Sequence, residues 1–167
     1  EGERVSSLTS TLERVVRNLR EVVFETDAAG LWTYLNPAWA EITGFELSDS
    51  LGKPFFEFLH PDDVELNRQR FEPLIRREKE YCRHEIRYRT ADGGFRWIEV
   101  HARLVLTADD QIAGTSGTLR DITSQLAVER DASEARTWLR TIFDTAPVGI
   151  VVTAVERVAI VAGVSAS

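Results

Sequence analysis

From Cys82 to Arg89, hydrophobic and charged positions alternate. Arg83, Glu85, Arg87 and Arg89 share one side, and Cys82, His84, Ile86 and Tyr88 share the other. That period of two predicts a strand with one wetted and one covered face. Asp92-Gly93-Gly94 follows, a turn that reaches positive φ at little cost. The next run puts Ile98, Val100, Ala102, Leu104 and Leu106 on one face and Phe95, Trp97, Glu99, His101 and Arg103 on the other. A polar turn at Ala108–Gln111 leads into a third strand, Ile112–Thr123, rich in small residues (Gly114, Ser116, Gly117). Glycine inside a strand marks a close approach to the sheet. Three strands joined by short turns make an antiparallel meander, and one of its faces must be covered by the rest of the chain.

Upstream the pattern changes. Val5, Leu8, Leu12, Val15 or Val16, and Leu19 recur every three or four residues and predict a helix over 1–20. Its narrow apolar stripe suits either a coiled-coil seam or packing on its own domain. Glu21–Thr26 and Leu31–Leu35 read as a hairpin around Asp27–Gly30. Asn36-Pro37 predicts a short helix with Asn36 as cap, Trp39, Ile42 and Phe45 on its buried side, and Gly44 as its end. Ser48 opens another helical turn. Pro61-Asp62-Asp63 starts a longer helix. That helix carries Val64, Leu66 or Asn67, and Phe71; Pro73 should kink it, and it resumes to about Lys79. A second exposed helix is expected from Asp121 to about Thr141, polar around much of its surface as connectors between domains often are.

Composition narrows the classes. The 167 residues are 43% hydrophobic and 28% charged, as in an ordinary globular chain. The net charge of −7 argues against a nucleic-acid partner or an anionic membrane surface. No apolar run is long enough to predict a membrane span, and no signal-peptide pattern opens the sequence. A single cysteine, Cys82, excludes an intramolecular disulfide and fits a reducing, cytoplasmic setting. Methionine is absent even at position 1, so the expectation is a piece of a longer protein. No nucleophile–base pairing, phosphate loop or metal-ligand spacing is present, so the chain is not expected to be an enzyme.

The order strand, strand, short helices, longer helix, three strands resembles a PAS domain with a C-terminal PAC segment. The residues that carry it are V-F-E-T-D at 23–27, L-N-P-A-W-A-E-I-T-G-F at 35–45, L-G-K-P at 51–54, F-L-H-P-D-D at 58–63, R-Y-R-T-A-D-G-G-F-R-W-I-E at 87–99 and G-T-L-R-D-I-T at 117–123. The resemblance implies an α+β fold: a five-stranded antiparallel sheet with short helices on one face, flanked by N- and C-terminal helices. The expected layout is an N-terminal amphipathic helix at 1–20, the PAS/PAC domain at 21–123 and a connector helix at 124–143. T-I-F-D-T-A-P-V-G-I-V-V-T at 141–153 resembles the opening of another PAS domain, so 144–167 is expected to be the hairpin of a truncated second one, adding to a sheet or packing on another chain.

Function follows from the resemblance. It implies a sensory or signal-relay module of a larger signalling protein, a two-component histidine kinase or a cyclic-di-nucleotide (cyclic-di-GMP) enzyme. The effector domain would lie elsewhere in the parent chain. Such a module would dimerise through its flanking helices, its C-terminal hairpin, or both, without inserting into a membrane. The covered sheet face should carry His84, Ile86, Tyr88, Ile98, Val100 and Ala102 by parity, and Thr115, Gly117 and Leu119 by the resemblance. Phe24, Trp39, Ile42, Phe56 and Phe71 close the space from the other side. These residues either line a ligand pocket or fill a core, leaving a ligand-free assembly module. The cofactor stays open. A LOV-type flavin adduct is disfavoured because P-F-F-E-F (54–58) stands where the related family has a reactive cysteine, and haem held by a histidine of the long helix is disfavoured because 61–80 holds no histidine. His60 is expected to start a helix and His101 to lie on the surface. Asp121, with Ile122 and Thr123, is expected to fix the junction between sheet and following helix.

Overall fold

The computed structural model describes residues 2–145, with side chains from Ser10 onward. The expected hairpin therefore lies outside the described residues, apart from 144 and 145, which are helical. The elements are α1 (Gly2–Arg17), β1 (Val22–Asp27), β2 (Trp32–Leu35), α2 (Ala38–Thr43), α3 (Leu47–Ser50), 3-10 turns at Phe55–Phe58 and Pro61–Asp63, α4 (Val64–Ile75), β3 (Tyr81–Arg89), β4 (Phe95–Leu106), β5 (Ile112–Asp121) and α5 (Thr123–Thr145). The chain divides into two compact units, 1–123 and 124–167.

The strands form one antiparallel sheet in the order β2-β1-β5-β4-β3. The meander β3-β4-β5 is present as its alternation predicts, and β5 continues the sheet by pairing with β1, Phe24 opposite Gly117. Of the residues expected on the covered face, His84, Ile86, Tyr88, Ile98, Val100 and Ala102, assigned by parity, are buried, as are Thr115 and Leu119, assigned by the resemblance, while Gly117 is half-buried; His101 is exposed. Trp39 is the hub of the core. Its ring meets Trp32 at 5.5 Å, Phe58 at 5.2 Å and Tyr88 at 6.0 Å. Its indole N–H donates to Ser50 Oγ at 2.8 Å, so its polar atom is satisfied inside the apolar cluster.

Three local expectations are corrected. Asn36 does not cap α2, whose cap position is Pro37. Its buried side chain instead accepts from Val23 N and donates to the carbonyls of Val16 and Glu21. That holds the end of α1, the start of β1 and the β2–α2 link together. Gly44 does end α2, at φ 76°. No helix resumes after Pro73 toward Lys79. Pro73 lies within α4, which stops at Ile75. Lacking an N–H, it leaves one helical bond unmade, and Glu78 N and Lys79 N both turn back to its carbonyl. Arg77 takes a left-handed φ of 59° there and pairs with Asp110 at 2.7 Å. Lastly, Val64 and Leu66 are largely exposed, and the inward stripe of α4 is Asn67, Phe71 and Leu74.

The 3-10 turn before α4 is tied to the edge strand. His60 Nδ1 accepts from Asp62 N, as a helix-starting residue should. Asp63 accepts from Arg87 N and Nε at 3.1 and 2.8 Å and from the guanidinium Nη2 at 2.5 Å. The Arg87 bonds hold the Asp63 carboxyl below its ordinary range. None of the residues of α5 is buried; Trp138, Leu139 and Phe143 stand exposed along it.

Candidate functional site

Beside the aromatic hub the sheet and α4 leave a cleft of about 620 Å³, within the usual size of a small-molecule site. One wall is the β1–β2 turn from Thr26 to Gly30, and the opposite wall is α4. Phe55 and Phe56 close one side and the start of β5, through Thr115, closes the other. Phe55 and Phe71 form a stacked pair with centroids 5.6 Å apart and planes 28° apart.

The polar groups of the cleft are ordered from depth to rim. Asn67 Oδ1 lies 3.0 Å from His84 Nε2. Burial lowers the His84 pKa to about 4, with the Arg70 charge adding to the effect, so the ring is neutral. His84 Nδ1 is sealed without a partner. A sealed lone pair is the less costly orphan than a sealed N–H, so the hydrogen sits on Nε2 and donates to Asn67. Thr26 Oγ lies 2.7 Å from Thr115 Oγ and also accepts from Thr115 N. At the rim, Arg68 forks onto Glu65 at 2.7 and 2.9 Å and Arg76 pairs with Glu72 at 2.5 Å.

The expected pocket residues separate into two sets. Phe56, Phe71 and Thr115 line the cleft, and His84 stands one side chain behind it, through Asn67 and Phe71. Phe24, Trp39, Ile86, Tyr88, Ile98, Val100 and Leu119 are buried in the packed core, and Ile42 packs partly buried against it. Phe56 is about half exposed, on the outer lip. Parity identifies the inner face of a sheet but not how much space remains over it, and Trp32, Trp39, Phe58 and Tyr88 occupy that space here. Asn67, Thr26 and Phe55 were not foreseen in the cleft. The signal for Asn67 was a lone amide four residues before Phe71, on the same helical stripe. Cys82 is a buried free thiol whose pKa burial pushes up to about 11, so it is no nucleophile. Among the described residues, no group of three or more His, Cys, Asp or Glu is placed to hold a metal ion.

The far end of β5 forms the junction. Ile122 is buried, and its N–H donates to the Trp97 carbonyl at 2.9 Å. Thr123 Oγ accepts from Trp97 N at 3.0 Å, while Asp121 Oδ1 accepts from Thr123 N and Oγ at 2.9 and 2.6 Å. The backbone of β4 thus holds the first residue of α5.

One five-stranded antiparallel sheet, short helices over one face and a lateral cleft under a longer helix define an α+β architecture. The PAS-fold family model matches residues 10–122, and the chain belongs to the PAS family. It is 35% identical over 135 residues to sporulation kinase C of Bacillus subtilis (strain 168), a match covering 78% of this chain and 30% of that protein. The chain therefore spans about a third of that relative. The fold is shared with a sensory box histidine kinase/response regulator from Burkholderia thailandensis E264 at TM-score 0.62 and 23% identity, covering 78% of this chain and 98% of that one. It is also shared with the N-terminal domain of a diguanylate cyclase with PAS/PAC sensor from Marinobacter aquaeolei, at TM-score 0.56 and 15% identity, covering 63% and 97%.

Proposed function

We propose that this PAS domain is the sensory and relay module of a larger cytoplasmic signalling protein, a histidine kinase or a cyclic-di-nucleotide enzyme. A small ligand in the cleft would be reported through β5 to α5. The observation that carries the reading is that β5 contributes to both sites. Its first residues line the cleft, and its last ones are bonded to the start of α5. A change in the cleft that shifts β5 has a short, hydrogen-bonded route to the connector helix. Catalysis belongs to an effector domain, and the free buried thiol of Cys82 suits a reducing cytoplasm, which fractionation of the host cell would test.

Asp121→Ala removes both bonds to Thr123. With each bond worth about 1 kcal/mol, output of the parent protein is expected to change by up to about thirtyfold while ligand affinity stays within twofold. Output equal to wild type would remove the junction from the relay. Dimerisation rests on the apolar stripe of α1, where Leu12 and Val15 are exposed, with exposed Leu19 just beyond its end. Sedimentation velocity is expected to show a dimer that Leu12→Glu with Val15→Glu converts to monomer; a wild-type monomer would remove assembly from the proposal.

The packed core under β3 and β4 favours a second reading, a ligand-free assembly module. Native mass spectrometry of the purified protein separates the two. A retained small molecule supports sensing, and a bare chain that also fails to bind any added compound supports assembly alone.

A further inference from the structure

Asn67 is an unusual residue to find on the inward stripe of α4. It is 4% exposed, yet it lines the cleft between Val64 and Phe71. An amide in such a place should have every polar atom satisfied. Its Oδ1 is, by His84. Its Nδ2 makes no hydrogen bond within the described residues, and unlike His84 Nδ1 it is not sealed. The neutral His84 ring donates from Nε2, so it fixes which way the amide points and leaves both Nδ2 hydrogens free.

The threonine pair keeps a donor as well. Two hydroxyls share one hydrogen bond, so one hydroxyl hydrogen of Thr26 and Thr115 is left over whichever donates, beside lone pairs that accept. Asn67 Nδ2, by contrast, is a deep side-chain group that only donates. The cations at the rim are already engaged. Arg68 and Arg76 are held by Glu65 and Glu72, and Asp27, whose Oδ1 accepts from Ala29 N and Leu31 N in the turn, is itself negative. An anion entering the cleft would be desolvated without a free cation to meet it, which is costly, and a cation would meet the hydrogens of the Asn67 amide. The remaining lining is apolar and aromatic, with the Phe55–Phe71 pair presenting ring faces and edges.

We propose that the cleft takes an uncharged, planar, largely apolar molecule carrying a carbonyl-type acceptor, with the Asn67 amide as its polar anchor. This rests on the reading that the cleft is a ligand site. His84 is the positioning residue: it does not touch the ligand but sets the orientation of the amide that does.

The test uses three compounds of one shape on the whole chain: 2-acetonaphthone, 2-ethylnaphthalene and 2-naphthoate. Binding is followed by ¹H–¹⁵N NMR, including the side-chain amide resonances. The ketone is expected to bind at least tenfold more tightly than the hydrocarbon or the carboxylate and to shift the Asn67 side-chain signals. Asn67→Leu is expected to erase the preference for the ketone while leaving 2-ethylnaphthalene within twofold. Comparison of the three compounds on the unaltered protein needs no variant, so a poorly folded Asn67→Leu leaves the test intact. Equal binding of ketone and hydrocarbon, or tightest binding of the carboxylate, overturns the acceptor assignment while leaving the cleft a ligand site. Absence of any cleft shift with all three at millimolar concentration overturns both.

Discussion

Trp39→Ala is expected to destabilise the domain by about 4 kcal/mol, within the usual range for removing a buried tryptophan. The residue is fully buried, and three rings, from β2, the Phe55–Phe58 turn and β3, pack on it. Truncation leaves a cavity walled by large rigid side chains, and such walls collapse poorly, so the cost falls high in the range. Ser50 Oγ would also lose the indole N–H it accepts, though it keeps its own bond to the Glu46 carbonyl at 2.8 Å. For a domain of this size the change corresponds to a fall in Tm of roughly 10–20 °C. Against a total stability of about 5–15 kcal/mol, that is between about a quarter and four-fifths of the whole. Trp138→Ala is the matched control. That side chain is 65% exposed on α5, and its loss should move stability by less than about 0.5 kcal/mol. Thermal or urea unfolding of the two variants decides the matter, and equal shifts would mean that the ring cluster around Trp39 does not hold the fold.

The same cluster explains why the fold was legible in the sequence and the site only in part. Alternation from Cys82 to Leu106 is a local signal, and β3 and β4 follow it as far as Leu104; Leu106, expected on the covered face, lies past a register shift in the β4–β5 pairing and is exposed. Side-chain direction in a strand needs nothing beyond its own residues. Asn36 is different. Asn-Pro at the end of a strand matches the local preference for a helix cap, but its partners are Val16, Glu21 and Val23, 13 to 20 residues away. No local rule carries such a bond. The cleft has the same non-local origin. Its position depends on how much room Trp32, Trp39, Phe58 and Tyr88 take once they interlock, a property of volumes rather than of spacing. Of the aromatic residues named from the sequence, Phe24, Trp39 and Tyr88 lie in the core, Phe71 lines the cleft, and Phe56 stands half exposed at its lip. Asn67 was visible as an alternative to Leu66. Its role emerges only because β3 places His84 opposite it.

Gly117→Ala is expected to be at least as damaging as the loss of Trp39, although it adds a single methyl group. A Cβ at position 117 would lie 1.9 Å from the carbonyl oxygen of His101 and 2.9 Å from Cα of Ala102. Both obstacles are backbone atoms of β4, so no rotamer change relieves them. Overpacking against side chains usually costs about 1–3 kcal/mol; here β5 itself must move away from β4. It cannot do so freely, because its other edge pairs with β1 through Phe24. The expected cost is about 4 kcal/mol or more, with the β4–β5 register as the first casualty. Gly94→Ala is the comparison, since its Cβ would meet only the Thr90 hydroxyl at 3.2 Å and the Asp92 carboxylate at 3.4 Å, both able to turn aside. That variant should stay within about 1 kcal/mol of wild type. Circular dichroism melts of the pair test this, and a Gly117→Ala protein melting beside Gly94→Ala would show that the strands are not so close. The glycine in this strand thus does mark a close approach, and what approaches is the neighbouring strand. Position 117 lies between the cleft residues of β5 and the junction at Asp121–Thr123.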